Sequence, residues 1–239
     1  MSNRFIEKLS RFSTLNEGDI AALTKATANA RWVAARHDLI REGDRPGPVF
    51  VILEGWACRY KILPGGTRQI LAYLMPGDSC DLHISLLAEM DHSIQTIARA
   101  RVATIDRVQM DATLERHPGI AKAMYIGQLV DEGILRAWIT SMGRRASIER
   151  VAHLMCELYL RARSIGLTEE THLELPLSQA MLADSLGMTA VHLNRVLKRL
   201  RLDKAMTLKR GSLTIADPPK LAQMAGFDDN YLHRRLCAA

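Results

Sequence analysis

Between Ala190 and Gly211 the chain holds Arg195, Lys198, Arg199, Arg201, Lys204, Lys209 and Arg210 against one acid, Asp203. The net charge of this segment, +6, equals that of the whole 239-residue chain, so the excess of positive charge is in effect concentrated here. Cations at this density neutralise phosphates and release counterions, and an arginine held at a base edge can donate two hydrogen bonds to a guanine. Ala190, Val191, His192 and Asn194 stand beside these cations and are small or able to hydrogen-bond, so the same face can approach a groove closely.

Two short helices must hold that face. Ser178 fits the N-cap of the first, with Leu182 and Leu186 one turn apart on its inner side. Ala183 lies where the helices cross, and Gly187 supplies the positive φ that reverses the chain. Thr189 caps the second helix, whose inner side is Leu193, Val196, Leu197 and Leu200. Beyond it, Met206–Lys209 and Ser212–Ile215 flank Arg210-Gly211 as two strands of a hairpin wing. The spacing is a winged helix-turn-helix for double-stranded DNA. Its candidate contacts are Ser178, Thr189, Ala190, Val191, His192, Asn194, Arg195, Lys198, Arg199, Lys209 and Arg210, with Ala183 and Gly187 in the turn.

A chain 48% hydrophobic over this length is comfortable as two domains. The opening MSNRFIEKLSRF lacks the apolar stretch of a signal peptide, and no apolar run approaches the roughly 20 residues that span a bilayer, so a cytoplasmic protein without membrane contact is expected. Cys58, Cys80, Cys156 and Cys237 are scattered without a CxxC pair, which predicts reduced structural thiols and no metal centre.

Upstream, Asn16 and Asp19 open a short helix with a capping box, with Leu15, Ile20 and Leu23 on one side. From Arg31 to about Arg107 the texture is short β-rich runs (WVAA, VFVIL, ACRYKIL, RQILAYL, HSIQTIA, ATIDRV) broken at Gly43, Gly47, Gly55, Gly65-Gly66 and Gly77. Such runs predict a sandwich or barrel, and an antiparallel roll of this size can enclose a small-molecule effector or equally serve as a protein-binding scaffold. A long helix follows from Pro118 to about Arg144 with two apolar stripes. The stripe of small residues, Ala123, Gly127, Val130, Ile134, Ala137 and Ser141, suits a second copy of the chain, and the other includes Met124, Leu135, Trp138, Ile139 and Met142. A homodimer is therefore expected. A helix from Ile148 to Arg163, apolar on one face at Val151, Leu154, Met155, Leu158 and Tyr159, should lie under the DNA-binding unit, with Gly143, Ala146 and Ser147 as the hinge. The tail, with Leu221, Met224 and Phe227 on one side of a short helix, should pack on the wing, and RNA polymerase is a candidate further partner.

The expected class is α+β: residues 1–117 an N-terminal antiparallel β-roll (jelly-roll-like), 118–146 a long dimerisation helix and hinge, 147–239 a C-terminal winged helix-turn-helix. In this order, with EGD at Glu42–Asp44, LEG at Leu53–Gly55, PGG at Pro64–Gly66, PGD at Pro76–Asp78 and LPLSQAMLADSLGMTAVHLNRVLKRL from Leu175, the chain resembles the Crp/Fnr superfamily of bacterial transcription regulators over nearly its full length. The resemblance implies a dimer with its recognition helices in successive major grooves of a palindromic site, under control of a signal at the roll. Thr189 and Arg195 match the recognition helix of many members, while Ala190 and Val191 replace the usual Arg and Glu, implying a changed operator.

Cyclic-nucleotide-binding members carry Gly-Glu beyond the PGD turn and a later Arg-Ser or Arg-Thr; here Asp81 and Leu82 take the first place and no arginine stands between the PGD turn and Arg99. A phosphate buried without a cation is costly, so cyclic AMP is not expected. Nor is an iron-sulfur cluster, since the first cysteine is Cys58. An unknown small-molecule effector stays open, with Arg59, Arg68, Asp78, Asp81, His83 and His92 as candidate pocket residues and no metal site assigned. Two other functions compete: a cupin-like metal-dependent enzyme, for which Asp81, His83 and His92 lack the HxH spacing, and an architectural protein that binds DNA without sequence preference.

Overall fold

The computed structural model describes residues 3–80, 82 and 87–233, which divide into two compact units, 1–129 and 130–239. The first unit opens with α1 (Arg4–Phe12), capped by Asn3 and burying Phe5, Ile6 and Leu9. In α2 (Glu17–Ala26) the capping box is present: the Asn16 side chain accepts from the Asp19 amide at 2.8 Å, and the Asp19 carboxylate from the Asn16 amide at 3.1 Å. Leu23 is buried, but Ile20, expected beside it, faces outward.

Eight strands follow: β1 (Arg31–Val33), β2 (Asp38–Ile40), β3 (Val49–Glu54), β4 (Ala57–Ile62), β5 (Arg68–Leu74), β6 (Ser79–Cys80), β7 (Ser93–Thr96) and β8 (Ala100–Ile105). They pair antiparallel in two four-stranded sheets, β1-β8-β3-β6 and β2-β7-β4-β5, the β-roll read from the sequence. Side chains alternate across a strand, so β3 serves two cores. Phe50 and Ile52 pack between the sheets with Ile94, Leu74 and Val102, while Val49, Val51 and Leu53 join Phe5, Leu9, Leu23 and Ile105 beneath the helices. The run ATIDRV is not one strand. It ends at Ile105, and Asp106 caps α3 (Arg107–Arg116) by accepting from the Val108 amide at 2.9 Å.

The helix α4 (Pro118–Arg144) is continuous through 27 residues, but it does not form a separate segment: 118–129 belongs to the first unit and 130–144 to the second. The stripe assigned above to a partner chain is turned inward. Ala123, Val130, Ile134 and Ser141 are buried within the chain, and Gly127 and Ala137 are half-buried. Small side chains allow close cover, and the chain uses that closeness for itself. The bulkier residues remain outside: Tyr125 is 62% exposed, Leu135 45% and Ile139 72%.

In the second unit α5 (Ser147–Ser164) is buried on more than the one face expected, since Val151, Leu154, Met155 and Leu158 are joined inside by His153, Cys156 and Glu157. Around it stand β9 (Thr168–Glu169), β10 (His172–Glu174), α6 (Gln179–Leu186), α7 (Ala190–Leu202), β11 (Met206–Lys209), β12 (Ser212–Ile215), α8 (Pro218–Ala225) and a 3-10 turn over Asn230–Leu232. The wing is not a lone hairpin: β9 and β10 extend it to a four-stranded sheet in the order β11-β12-β10-β9. No helix among the described residues is long and apolar enough to cross a membrane.

Candidate nucleic-acid interface

Two side-chain caps and one glycine set the relation of α6 to α7. Ser178 Oγ accepts from the Met181 amide and Thr189 Oγ1 from the His192 amide, each at 3.2 Å, satisfying donors that the first helical turn leaves free. Gly187 ends α6 in the left-handed region, φ 58° and ψ 44°, and a Cβ there would fall 2.4 Å from Met142 Cε. Leu182, Ala183, Leu186, Leu193, Val196 and Leu200 are buried together on the inner sides.

The outward side of α7 carries Ala190, Val191, Asn194, Arg195, Lys198 and Arg199, all exposed, with Val191 at 63%. Arg199 Nε donates to Asp203 Oδ2 at 2.9 Å, so part of its charge is answered within the helix. At the wing tip Arg210 (φ 50°) and Gly211 (φ 86°) both take positive φ, as a two-residue hairpin of the right twist requires. Lys209 pairs with Ser212, and Lys209 and Arg210 are exposed. His192 differs from the other candidates. It is half-buried, and its Nε2 lies 2.7 Å from Ser147 Oγ at the start of α5.

In the same unit Glu157 of α5 is fully buried. It accepts from Trp138 Nε1 at 3.0 and 3.2 Å, from the Tyr231 hydroxyl at 3.0 Å and from Arg161 Nη1 at 3.4 Å. Burial raises its pKa, opposed by the Arg161 charge and by the hydrogen bonds from Trp138, Tyr231 and Arg161. One turn earlier His153 stacks on Tyr231 (5.6 Å between ring centroids) and tilts against Phe227 (5.0 Å); burial, and then the charge of Arg145, lower its pKa to about 4. Burial also pushes the Cys156 thiol up to about 12, against thiolate formation. Sequence periodicity gave no sign of these polar groups, because their partners Trp138 and Tyr231 lie outside α5.

The described effector candidates in the roll stand at separate places, each with its own neighbours. Asp78 pairs with Lys8 Nζ at 2.5 Å and accepts from the Met75 amide at 2.8 Å, so it ties its own turn to α1. His92 Nδ1 lies 2.6 Å from Asp91 Oδ1. Arg59 stands in β4, and the Arg68 guanidinium sits 6.0 Å over the Tyr60 ring. Asp81 and His83 lie outside the described residues. A polar group missed in the sequence stands on β2, where Asp38 accepts from Tyr60 (2.9 Å), Gln95 (2.7 Å) and Arg41 (3.0 Å). Burial raises the Asp38 pKa, but these hydrogen bonds outweigh it and hold the carboxyl below its ordinary range. Its partners Tyr60 and Gln95 are 22 and 57 residues away, beyond any local pattern.

Residues 30–117 match the cyclic nucleotide-binding domain, and residues 149–224 match the Crp-like helix-turn-helix domain. The chain is 25% identical over 184 residues to the nitrogen fixation regulation protein FixK of Bradyrhizobium diazoefficiens, covering 77% of this chain and 76% of that one. It is 26% identical over 188 residues to the transcriptional activatory protein AadR of Rhodopseudomonas palustris, covering 78% and 77%. The solved structure of FixK2 from Bradyrhizobium japonicum superposes with a TM-score of 0.74 at 20% identity, over 82% of this chain and 96% of that one. A β-roll followed by a long helix and a winged helix-turn-helix, with those two domain matches in that order, defines a DNA-binding transcription regulator and not an enzyme. In that domain order the chain is similar to the regulators of the Crp/Fnr family.

Proposed function

We propose that this regulator works as a homodimer on a palindromic site, reading sequence with the outer face of α7 and taking its signal at the β-roll. The observation that carries the reading is the exposed face Ala190, Val191, Asn194, Arg195 and Lys198, bordered by Lys209 and Arg210 of the wing. Arg195 is the residue able to fork onto a guanine, while Val191 offers only apolar contact, such as to a thymine methyl. Duplexes selected from a random pool test this by fluorescence anisotropy. Arg195→Ala should cost about 2 kcal/mol and flatten base preference at one position of each half-site. Unchanged affinity and preference would remove Arg195 from the reading, and equal binding of selected and random duplexes by the unaltered chain would favour an architectural role.

The partner of α4 is a second copy of the chain. Leu135, Ile139 and Met142 recur at heptad spacing and stay exposed, an arrangement that a parallel helix of the same sequence covers. Ile139→Glu should weaken self-association at least tenfold, about 1.4 kcal/mol, in sedimentation equilibrium. A monomeric unaltered chain at micromolar concentration would overturn the dimer.

With Asp81 and Leu82 in place of Gly-Glu, the signal is not cyclic AMP; calorimetric titration showing tight binding would correct this. A relative named as a transcriptional activatory protein supports activation; we propose RNA polymerase as the further partner and the cytoplasm as the place of work.

A further inference from the structure

We infer that His192 does not read DNA but positions the helix that does, as one half of a bracket that the first turn of α5 throws around the helix-turn-helix. His192 occupies the third place of α7, and a residue at the start of a recognition helix is ordinarily counted among those that meet a base or a phosphate. Here its imidazole Nε2 lies 2.7 Å from the hydroxyl of Ser147, the first residue of α5, and the ring is half-buried. The ring nitrogen that points away from the His192 backbone is thus already engaged within the protein.

The second half of the bracket comes from the same turn of α5. Arg150 Nη1 donates to the carbonyl of Leu186 at 2.7 Å, the last residue of α6, where helix carbonyls lack an internal partner and a cation is favoured by the helix dipole. The same guanidinium reaches the Arg145 carbonyl through Nη2 at 3.4 Å, tying the turn to the junction of α4 and α5. Met142 closes the far side, since its Cε occupies the space that a Cβ on Gly187 would need.

One tether therefore holds the end of α6 and the other the beginning of α7, six residues apart in the chain at Leu186 and His192, and both start from Ser147–Arg150. A helix fixed at its entry and at the turn before it has little freedom in pitch or roll. That rigidity is what lets Arg195, one turn further on, meet a base edge within hydrogen-bonding distance rather than only a phosphate. Direct reading is left to Ala190, Val191, Asn194 and Arg195. The inference rests on sequence-specific reading by α7, and it assigns Ser147, Arg150 and His192 as positioning residues.

A positioning residue and a DNA contact leave different traces. Loss of a phosphate contact weakens all duplexes alike, and loss of a base contact relaxes one position of the site; loss of positioning weakens the selected duplex while random duplexes keep their largely electrostatic affinity. The experiment uses the full chain with His192→Ala, Ser147→Ala, the double variant and Ser147→Thr. Each is titrated against a selected and a random duplex over a range of salt, with melting temperatures recorded alongside.

Each single Ala variant is expected to lose about five- to tenfold on the selected duplex and less than about twofold on the random one, with the salt slope unchanged. The double variant should be no worse than the weaker single, because the two side chains form one bond, and Ser147→Thr, which keeps the hydroxyl, should recover most of the affinity. Additive losses, equal losses on both duplexes, or relaxation confined to a single base position would each overturn the inference. Should His192→Ala prove unfolded by melting, Ser147→Ala, which removes one hydroxyl at a half-buried place, decides the question alone. An unaltered chain that holds selected and random duplexes equally would instead remove the sequence-specific reading on which the bracket rests.

Discussion

Replacing Glu157 by alanine is expected to destabilise the 130–239 unit by about 4 kcal/mol, a fall of roughly 15 °C in its melting temperature. The carboxylate is fully buried and joins three stretches of chain: Trp138 from the end of α4, Arg161 from its own helix and Tyr231 from the 3-10 turn near the carboxyl end. Alanine removes the acceptor that faces the Trp138 indole, the Tyr231 hydroxyl and a guanidinium whose side chain is only 14% exposed, and it opens a cavity among them. Glu157→Gln should cost far less, under about 1.5 kcal/mol, because an amide oxygen still accepts while the burden of a desolvated charge disappears.

The sign of the pH effect follows from the raised pKa. The folded unit holds the Glu157 proton more firmly than the unfolded chain, so this group's contribution falls as pH rises from its ordinary value of 4.5 through the folded one. Glu157→Gln should flatten that part of the profile. Chemical denaturation of the Ala variant within 1 kcal/mol of the unaltered chain would show that the network holds nothing together.

His153→Phe should have the largest effect in acid. With its pKa lowered from 6.5 to about 4, the buried imidazole is kept neutral by the fold, whereas the unfolded chain takes up a proton from about pH 6.5 downward. The stability it contributes is complete above pH 6.5 and is lost as pH falls toward 4, by then about 3 kcal/mol. Glu157 works in the opposite direction over part of this range, so the two are separated by comparing variants rather than by the unaltered profile. Phenylalanine preserves the ring packing on Phe227 and Tyr231 and carries no proton. The difference between the variant and the unaltered chain, near zero at pH 7, should open by about 3 kcal/mol at pH 4. Parallel denaturation profiles over that interval would show that His153 does not carry the acid sensitivity.

The local structure of the helix-turn-helix and wing was legible almost to the residue: Ser178 and Thr189 cap their helices, Gly187 takes the left-handed turn, and the wing strands run Met206–Lys209 and Ser212–Ile215 about Arg210-Gly211. Each of those features is decided within three or four residues, by a side chain bonding a nearby amide or by a backbone angle that glycine tolerates. The runs RQILAYL and VFVIL became β5 and β3 for a similar reason, since β-branched and aromatic side chains suit a pleated strand, and β3 is buried on both faces.

Elsewhere local pattern could not choose. The helix α4 carries two apolar stripes, and either could have faced a partner; the stripe from Ala123 to Ser141 went inside, and Leu135 and Ile139 stayed out. The two-residue strand β9 and the three-residue β10 have no periodicity to betray them and exist because β12 is there for β10 to pair with and β10 for β9.

By itself, then, the order of residues determined the caps, turns, strand periods and the placing of positive charge, because each is a short-range bargain between neighbours. Tertiary structure alone decided that Glu157 and His153 lie inside, that His192 turns to Ser147 instead of outward, and that Asp78 serves Lys8, since those partners stand 74, 45 and 70 residues away for Tyr231, Ser147 and Lys8. A buried polar group is tolerable only once its partner has arrived, and where that partner arrives is a property of the packed chain.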